Sequence, residues 1–349
     1  MRAFTPDFSI SADGNDLTAA IRDRLLRLTI ADQSGNTSDS VKIVLDDRDH
    51  AIRLPRTGAE LAISLGYKEN GLIDMGKWTV DEIELSGPPD TLIISAKAAN
   101  TSTRNTKSGK ADTLRSVKTR AWDNIAIADI CKTIANEHGY TPRIADKYAT
   151  GSPPAIGAPV THLDQREESD LNFLTRLAKD YGAVCKPVRD YLLFVEKGTP
   201  VSATGRVLDS ISLTPKDMTS WRATLADRGK YVAAIAHYHD HATAKRIPVR
   251  AGKPSGVPVT SVTGTFADEQ SARAAATARL ASLNRGATTL SLTMPGNALI
   301  ASGSPLALIG FRDGSNGTYH ATSVTHTLDA GGYKLNMEGK MAAGNFRAL

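Results

Sequence analysis

The sequence predicts a β-rich α+β chain: a block of strands, a middle α+β block and a second block of strands. Three observations carry that prediction. Apolar and polar residues alternate early in the chain, as at Val41, Ile43 and Leu45, the period of a half-buried strand. The middle switches to a helical period, with Ile127, Ile130, Cys131 and Ile134 at i, i+3, i+4 and i+7. Beyond residue 201 alternation returns, at Val207, Ile211 and Leu213 and again at Tyr333, Leu335 and Met337.

In chain order, strands are predicted at 25–30, 41–45 and 61–67, the last with Leu61, Ile63, Leu65 and Tyr67 on one face. Residues 78–85 are rich in β-formers, but their apolar phase shifts midway, the mark of a bulge. Gly87-Pro88-Pro89-Asp90 is a turn leading into a strand at 91–96. Short strands at close spacing with polar turns fit a small antiparallel barrel or sandwich. The helix containing Ile127 has Asp123 or Asn124 as candidate caps and Gly139 as its end. A loop at 150–154 follows. A second helix spans about 170–181, with Ser169 as N-cap, Gly182 as terminator and Leu171, Leu174, Leu177, Ala178 and Tyr181 as its stripe. Residues 191–195 form a short strand behind it. In the last block a helix at about 268–284 presents Ala272, Ala276, Leu280 and Leu283, and residues 252–264 read as a long loop. No fixed-period repeat is evident.

The chain has 349 residues, 41% of them hydrophobic and 23% charged, which excludes a wholly disordered or fibrous polymer and fits two or three domains. A net charge of +5 is too small to name nucleic acid as a partner. Its apolar runs are far shorter than the roughly 20 residues of a membrane span. The start, Met1-Arg2-Ala3-Phe4, has no signal-peptide core, so folding in a cytoplasm is expected. Cys131 and Cys185 lie in apolar stretches and read as buried thiols.

Catalytic signatures are few. There is no Gly-x-Ser-x-Gly elbow, and Glu137-His138 lacks the rest of a His-Glu-x-x-His. Gly109-Lys110 is followed by Ala111, with Arg104 where a phosphate-binding loop needs Gly. Asp46-Asp47-Arg48-Asp49 lacks the glycine and terminal glutamate of a calcium loop. The sharpest cluster is His237, His239 and His241, whose alternation puts three imidazoles on one face of a strand. Two of them could share a metal ion and serve a metal-dependent hydrolase; the plainer reading is a polar strand face. The run from Lys97 to Arg120 carries Lys97, Arg104, Lys107, Lys110, Arg115, Lys118 and Arg120 against Asp112 alone. It suits passing DNA, yet no aromatic residues interleave to stack bases, and a solvated loop is the plainer reading. Trp78, Trp122 and Trp221 read as core or interface anchors.

Three segments go further: Thr5-Pro6-Asp7-Phe8-Ser9-Ile10; Asp81-Glu82-Ile83-Glu84-Leu85-Ser86-Gly87-Pro88-Pro89-Asp90; and Glu168-Ser169-Asp170-Leu171-Asn172-Phe173-Leu174, continuing to Tyr181-Gly182. In this order the set resembles the late control gene D proteins of contractile-tailed temperate phages, a family similar to the N-terminal hub part of VgrG. The resemblance implies a trimeric baseplate hub with two small tail-tube-like β-barrels per chain, at 1–104 and 201–349, and an α+β domain at 105–200 between them. Six barrels would then match a six-fold tail tube, while the three-fold axis matches a trimeric spike. It further implies, as partners, the tail tube protein, the spike, other baseplate proteins and the tape measure protein. DNA would pass only in transit through the pore, and no membrane would be met before infection. The place would be the virion, after assembly in the bacterial cytoplasm. No catalytic residue, metal or cofactor is implied. The family name suggests transcriptional control, but no helix-turn-helix pair with a basic recognition helix is present.

Overall fold

The computed structural model describes residues 4–34, 39–98, 114–148, 159–188, 191–197, 210–225, 231–240, 242–284 and 288–342. The chain begins with β1 (Pro6–Ala12), β2 (Asn15–Asp16), a single turn of helix α1 (Thr18–Ile21), β3 (Leu25–Gln33), β4 (Ser40–Asp46), β5 (Glu60–Tyr67), β6 (Gly71–Ser86) and β7 (Thr91–Ala98). The middle holds β8 (Val117–Ile125), α2 (Ile127–Glu137), β9 (Thr141–Ile144), β10 (Val160–Ser169), α3 (Asp170–Asp180), β11 (Ala183–Val188) and β12 (Tyr191–Glu196). Then come β13 (Ile211–Leu213), β14 (Ser220–Leu225), β15 (Ala233–Asp240), β16 (Lys245–Gly252), β17 (Val259–Ser261) and α4 (Glu269–Asn284). The last strands are β18 (Thr288–Pro295), β19 (Pro305–Leu308), β20 (Gly317–Asp329) and β21 (Gly332–Met341). This is the β-rich α+β class the sequence predicts.

The chain divides into two compact units. The first comprises residues 1–99, 209–224 and 289–339. Its strands join two sequence-distant blocks into one thirteen-stranded sheet among the described residues, in the order β14-β18-β21-β20-β3-β4-β7-β6-β5-β1-β2, with β19 on β20 and β13 on β19. The junction is the antiparallel pair β20–β3, where His326 faces Ile30 and Leu328 faces Leu28. Alternation decides which side is buried: in β4, Val41, Ile43 and Leu45 are buried, and in β5, Leu61, Ile63 and Leu65. The predicted phase shift in β6 is a register slip between Val80 and Glu82 against β7. A second slip, between Ala62 and Ser64, lies in the β5–β6 pairing.

The second unit comprises residues 100–208, 225–288 and 340–349. Thus 225–288, inside the range assigned from sequence to the last block, groups with the middle one. The physical reason is that α4 reaches the middle block: Ala274 is buried in the core that α2 and α3 share, and Thr161 Oγ1 donates to Asp268 Oδ2 at 2.9 Å. Ala272 and Ala276 of α4 pack with Ala234 and Ala236 of β15 and Val249 and Ala251 of β16 in one buried cluster. A second core joins Ile127, Ile130, Cys131 and Ile134 of α2 to Phe173, Leu174 and Leu177 of α3, with Trp122, Tyr148 and Phe194 around them. Both cysteines are buried there and free, as expected; burial pushes the Cys185 thiol up to about 12.

Three local expectations change. The cap of α2 is Ala126, with no side-chain cap bond; Asn124 has a φ of 48° and lies two residues too early to cap. The stretch 252–264 is not all loop, because Val259–Ser261 pairs in parallel with β15. The basic run ends in a strand, β8, rather than a loop, while 99–113 lies outside the described residues. Val207, the loop at 150–154 and His241 also lie outside them. The cap of α3 is as read: Ser169 Oγ accepts from the Asn172 amide at 3.3 Å.

Candidate functional site

A buried network of ionisable groups is built where β8, α2, β10 and α3 meet. On β8, Lys118, Arg120 and Trp122 occupy alternate positions and share the inward side, while Val117, Thr119 and Ala121 are exposed. Asp170, the first residue of α3, is fully buried. Lys118 Nζ donates to its Oδ2 at 2.6 Å and Arg120 Nη2 to its Oδ1 at 2.6 Å. His138, directly after α2, places Nε2 at 2.7 Å from Oδ2. Gln165 of β10 donates from Nε2 to Oδ1 at 2.8 Å and accepts from Arg120 Nε at 2.9 Å. Glu137 closes the outer side, 3.0 Å from Lys118 and 2.8 Å from Arg120.

The electrostatics follow from these contacts. Burial opposes ionisation of Asp170, but hydrogen bonds from His138, Lys118 and Gln165 and the charge of Arg120 outweigh it. They hold its carboxyl well below the usual range. Glu137 is likewise held low against its burial by Arg120 and Lys118. Partial burial of Lys118 opposes its charge, but Asp170 and Glu137 raise its pKa overall. The Arg120 guanidinium lies 4.5 Å from the centre of the Trp122 ring, and that ring stacks on Phe173 at 6.2 Å.

Glu137, His138 and Asp170 bring one ligand atom each within 4.8 Å of one another. The chemistry of the set argues against a metal ion. Two full positive charges, Lys118 and Arg120, already occupy the positions from which a cation would reach Asp170, and Asp170 has donors on both oxygens. The cluster is an ion-pair lock holding four elements in register. Sequence reading took Glu137-His138 as isolated and Lys118 and Arg120 as solvated; the signal was the alternation Lys118, Arg120, Trp122 ahead of the Glu168-Ser169-Asp170 motif.

The predicted histidines lie elsewhere. His237 and His239 sit on β15 with one residue between them, so they share a face as expected. His237 is half-buried, its Nδ1 without a hydrogen-bond partner among the described residues. No group of three ligating atoms within 4.8 Å includes either histidine among the described residues. Of the basic run, Lys97 pairs with Asp81, while Lys118 and Arg120 are neutralised in the lock. Trp78 and Trp122 are core residues, and Trp221 is exposed by 41% on β14, the end strand of the large sheet.

Comparison with known proteins gives a consistent picture. Residues 110–332 match the family model described as "Phage tail baseplate hub (GPD)". The protein of Escherichia phage P2 named "Probable baseplate hub protein" is 30% identical, over 96% of this chain and 92% of its own length. Among solved structures, a tail protein of Neisseria meningitidis MC58 shares the fold with a TM-score of 0.67 at 12% identity, covering 97% of each chain. A component of the Escherichia coli type VI secretion system does so with a TM-score of 0.55 at 14% identity, over 93% of this chain and 76% of its own.

Proposed function

The chain belongs to the phage tail baseplate hub family, and from that premise we propose that it is a trimeric adaptor joining a six-fold tail tube to a three-fold spike. As a baseplate hub protein it is a component of the tail and so of the virion. In this reading, residues 1–104 and 201–349 supply two tube-like barrels and 105–200 the α+β domain, with 225–288 inserted into the second barrel and packed with that domain. The observation that carries the reading is the large sheet. Two strand blocks far apart in sequence lie side by side and join through β3 and β20. A chain that carries two such blocks can present six in a trimer, which is how duplicated parts join unequal symmetries.

The hub has no catalytic role in this proposal. Its partners are two further copies of itself, the tail tube protein, the spike, other baseplate proteins and the tape measure protein. DNA meets it only in transit through the pore, and assembly takes place in the host cytoplasm, away from membrane. An exposed end strand such as β14 offers unpaired backbone groups and Trp221 to a neighbouring subunit. Cryo-electron microscopy of the intact particle tests this. Three copies around the axis between tube and spike are expected; any other copy number, or a place off the axis, overturns the adaptor role.

A further inference from the structure

A buried polar cluster lies inside the first unit, at the seam where β20 meets β3. His326 of β20 has no exposed surface, and both of its ring nitrogens are engaged. Nε2 lies 3.1 Å from the Ile300 carbonyl oxygen, a group that only accepts, so Nε2 carries the proton. Nδ1, 2.8 Å from the Tyr333 hydroxyl, is then left with a lone pair and accepts from Tyr333 Oη. Tyr333 of β21 is itself 4% exposed. Its ring lies 5.6 Å from that of Tyr67 of β5, and a Cβ on Gly296 would fall 2.2 Å from it. The Gly296 amide donates to the Tyr333 carbonyl at 2.9 Å. One neutral imidazole thus ties β20 to β21 and to the turn at Ile300, and Tyr333 carries the contact on to β5 of the first strand block.

A second proton fits this arrangement poorly. An imidazolium donates from both nitrogens, so the Tyr333 hydroxyl would have to turn round and accept, and its own hydrogen would give up the acceptor it has. The charge would also enter a site closed to water. Asp32 of β3 is an acid whose charge reaches the ring. Its two oxygens, however, already accept from the Ser302 amide at 2.7 Å and the Ser302 hydroxyl at 2.5 Å. Tyr333 and Tyr67 are titratable too, but burial pushes both phenols above their ordinary value, so neither supplies a negative charge near neutral pH. Burial lowers the ring's hold on a second proton, against the pull of the Ile300 carbonyl and of Asp32.

We propose that His326 is an acid-operated catch: a second proton on its ring, taken from solvent, releases Tyr333 and loosens β20 and β21 from β3, while β4 and β7 stay paired. The sign follows from linkage. A ring that binds this proton less readily when folded stabilises the seam above the unfolded value of about 6.5, and that contribution is lost as pH falls toward the folded value. This window lies above the one in which Asp170 titrates. The inference stands whether or not the chain forms a trimer.

The test is NMR on the full chain labelled at its histidine ring nitrogens, with amide hydrogen exchange on the same chain. In mildly alkaline buffer the ring signals of His326 should be those of a neutral imidazole protonated on Nε2, and on acidification they should titrate below about 6.5. Protection factors divide out the intrinsic pH dependence of exchange. For the β20–β3 pair and the Gly296 amide they should fall by roughly tenfold per pH unit below that point, the effect of one proton taken up on opening. For the β4–β7 pair they should stay level. His326→Gln keeps a donor for Ile300 and an acceptor for Tyr333 without a titrating group, so its seam should lose the pH step. Tyr333→Phe removes the donor to Nδ1 and should raise the midpoint of the ring titration. The proposal is overturned by a ring protonated on Nδ1 or charged in alkaline buffer, by a titration with no change in seam protection, by an equal loss across β4–β7, by the same step in His326→Gln, or by an unmoved midpoint in Tyr333→Phe.

Discussion

Asp170 illustrates how one carboxylate organises a domain. Four donor contacts from four residues converge on a group with no access to water. Removing it leaves Lys118 and Arg120 facing each other without their buried counter-charge, so Asp170→Ala should cost about 3–5 kcal/mol, read as a lowered midpoint in urea. The pH dependence has a definite sign. The carboxyl titrates lower when folded than when unfolded, so its contribution is complete above the unfolded value near 4 and is lost as pH falls toward the folded one. The wild-type chain should therefore lose stability on acidification below about pH 4, and Asp170→Asn should flatten that loss. Asp180 has the opposite sign. Burial pushes its carboxyl up to about 6, against the charges of Arg176 and Lys179. The folded chain binds this proton more tightly, so stability falls as pH rises from about 4 toward 6. Asp180→Asn should stabilise the fold at pH 7.5 by on the order of 1 kcal/mol, read as a higher melting temperature, and should change little at pH 4.

At the scale of elements, α3 and α2 differ in how they begin. Ser169 caps α3, and Ser169→Ala should cost about 1 kcal/mol in thermal unfolding. The start of α2 has no side-chain cap, and its stability comes from six buried apolar residues. Gly252 ends β16 with φ 99°, and a Cβ there would meet Val232 O at 2.4 Å. Gly252→Ala should loosen the β15–β16 pair, seen as faster amide exchange in that hairpin than in the large sheet. Elements of this kind were legible in the sequence wherever periodicity was strong: both helices of the middle block, β4, β5, the bulge of β6 and the alternation of β21. What escaped was non-local. Lys118 and Arg120 read as surface charge because their partners lie about 17 to 52 residues away. The short β17 escaped because three residues among glycine and proline carry no period, and its pairing with β15 supplies the reason it is extended.

On the scale of the whole chain, family membership and the β-rich fold agree, and the resemblance carried by three short segments named the family from sequence. The joining of distant blocks through β3 and β20 had no local signal, because register between strands about 300 residues apart is set by the fold as a whole. The exposed edge at β14 belongs to this scale. Trp221 packs edge-on against Phe311 at 5.0 Å but remains 41% exposed. Trp221→Lys should weaken self-association in sedimentation equilibrium at a cost of about 1 kcal/mol to the fold.

Light scattering coupled to size exclusion, on the chain alone and mixed with the spike protein of its own particle, bears most directly on the adaptor role. A species of three times the 37.2 kDa chain mass, formed alone or on the spike, is the predicted result; a monomer that stays a monomer in both runs contradicts it.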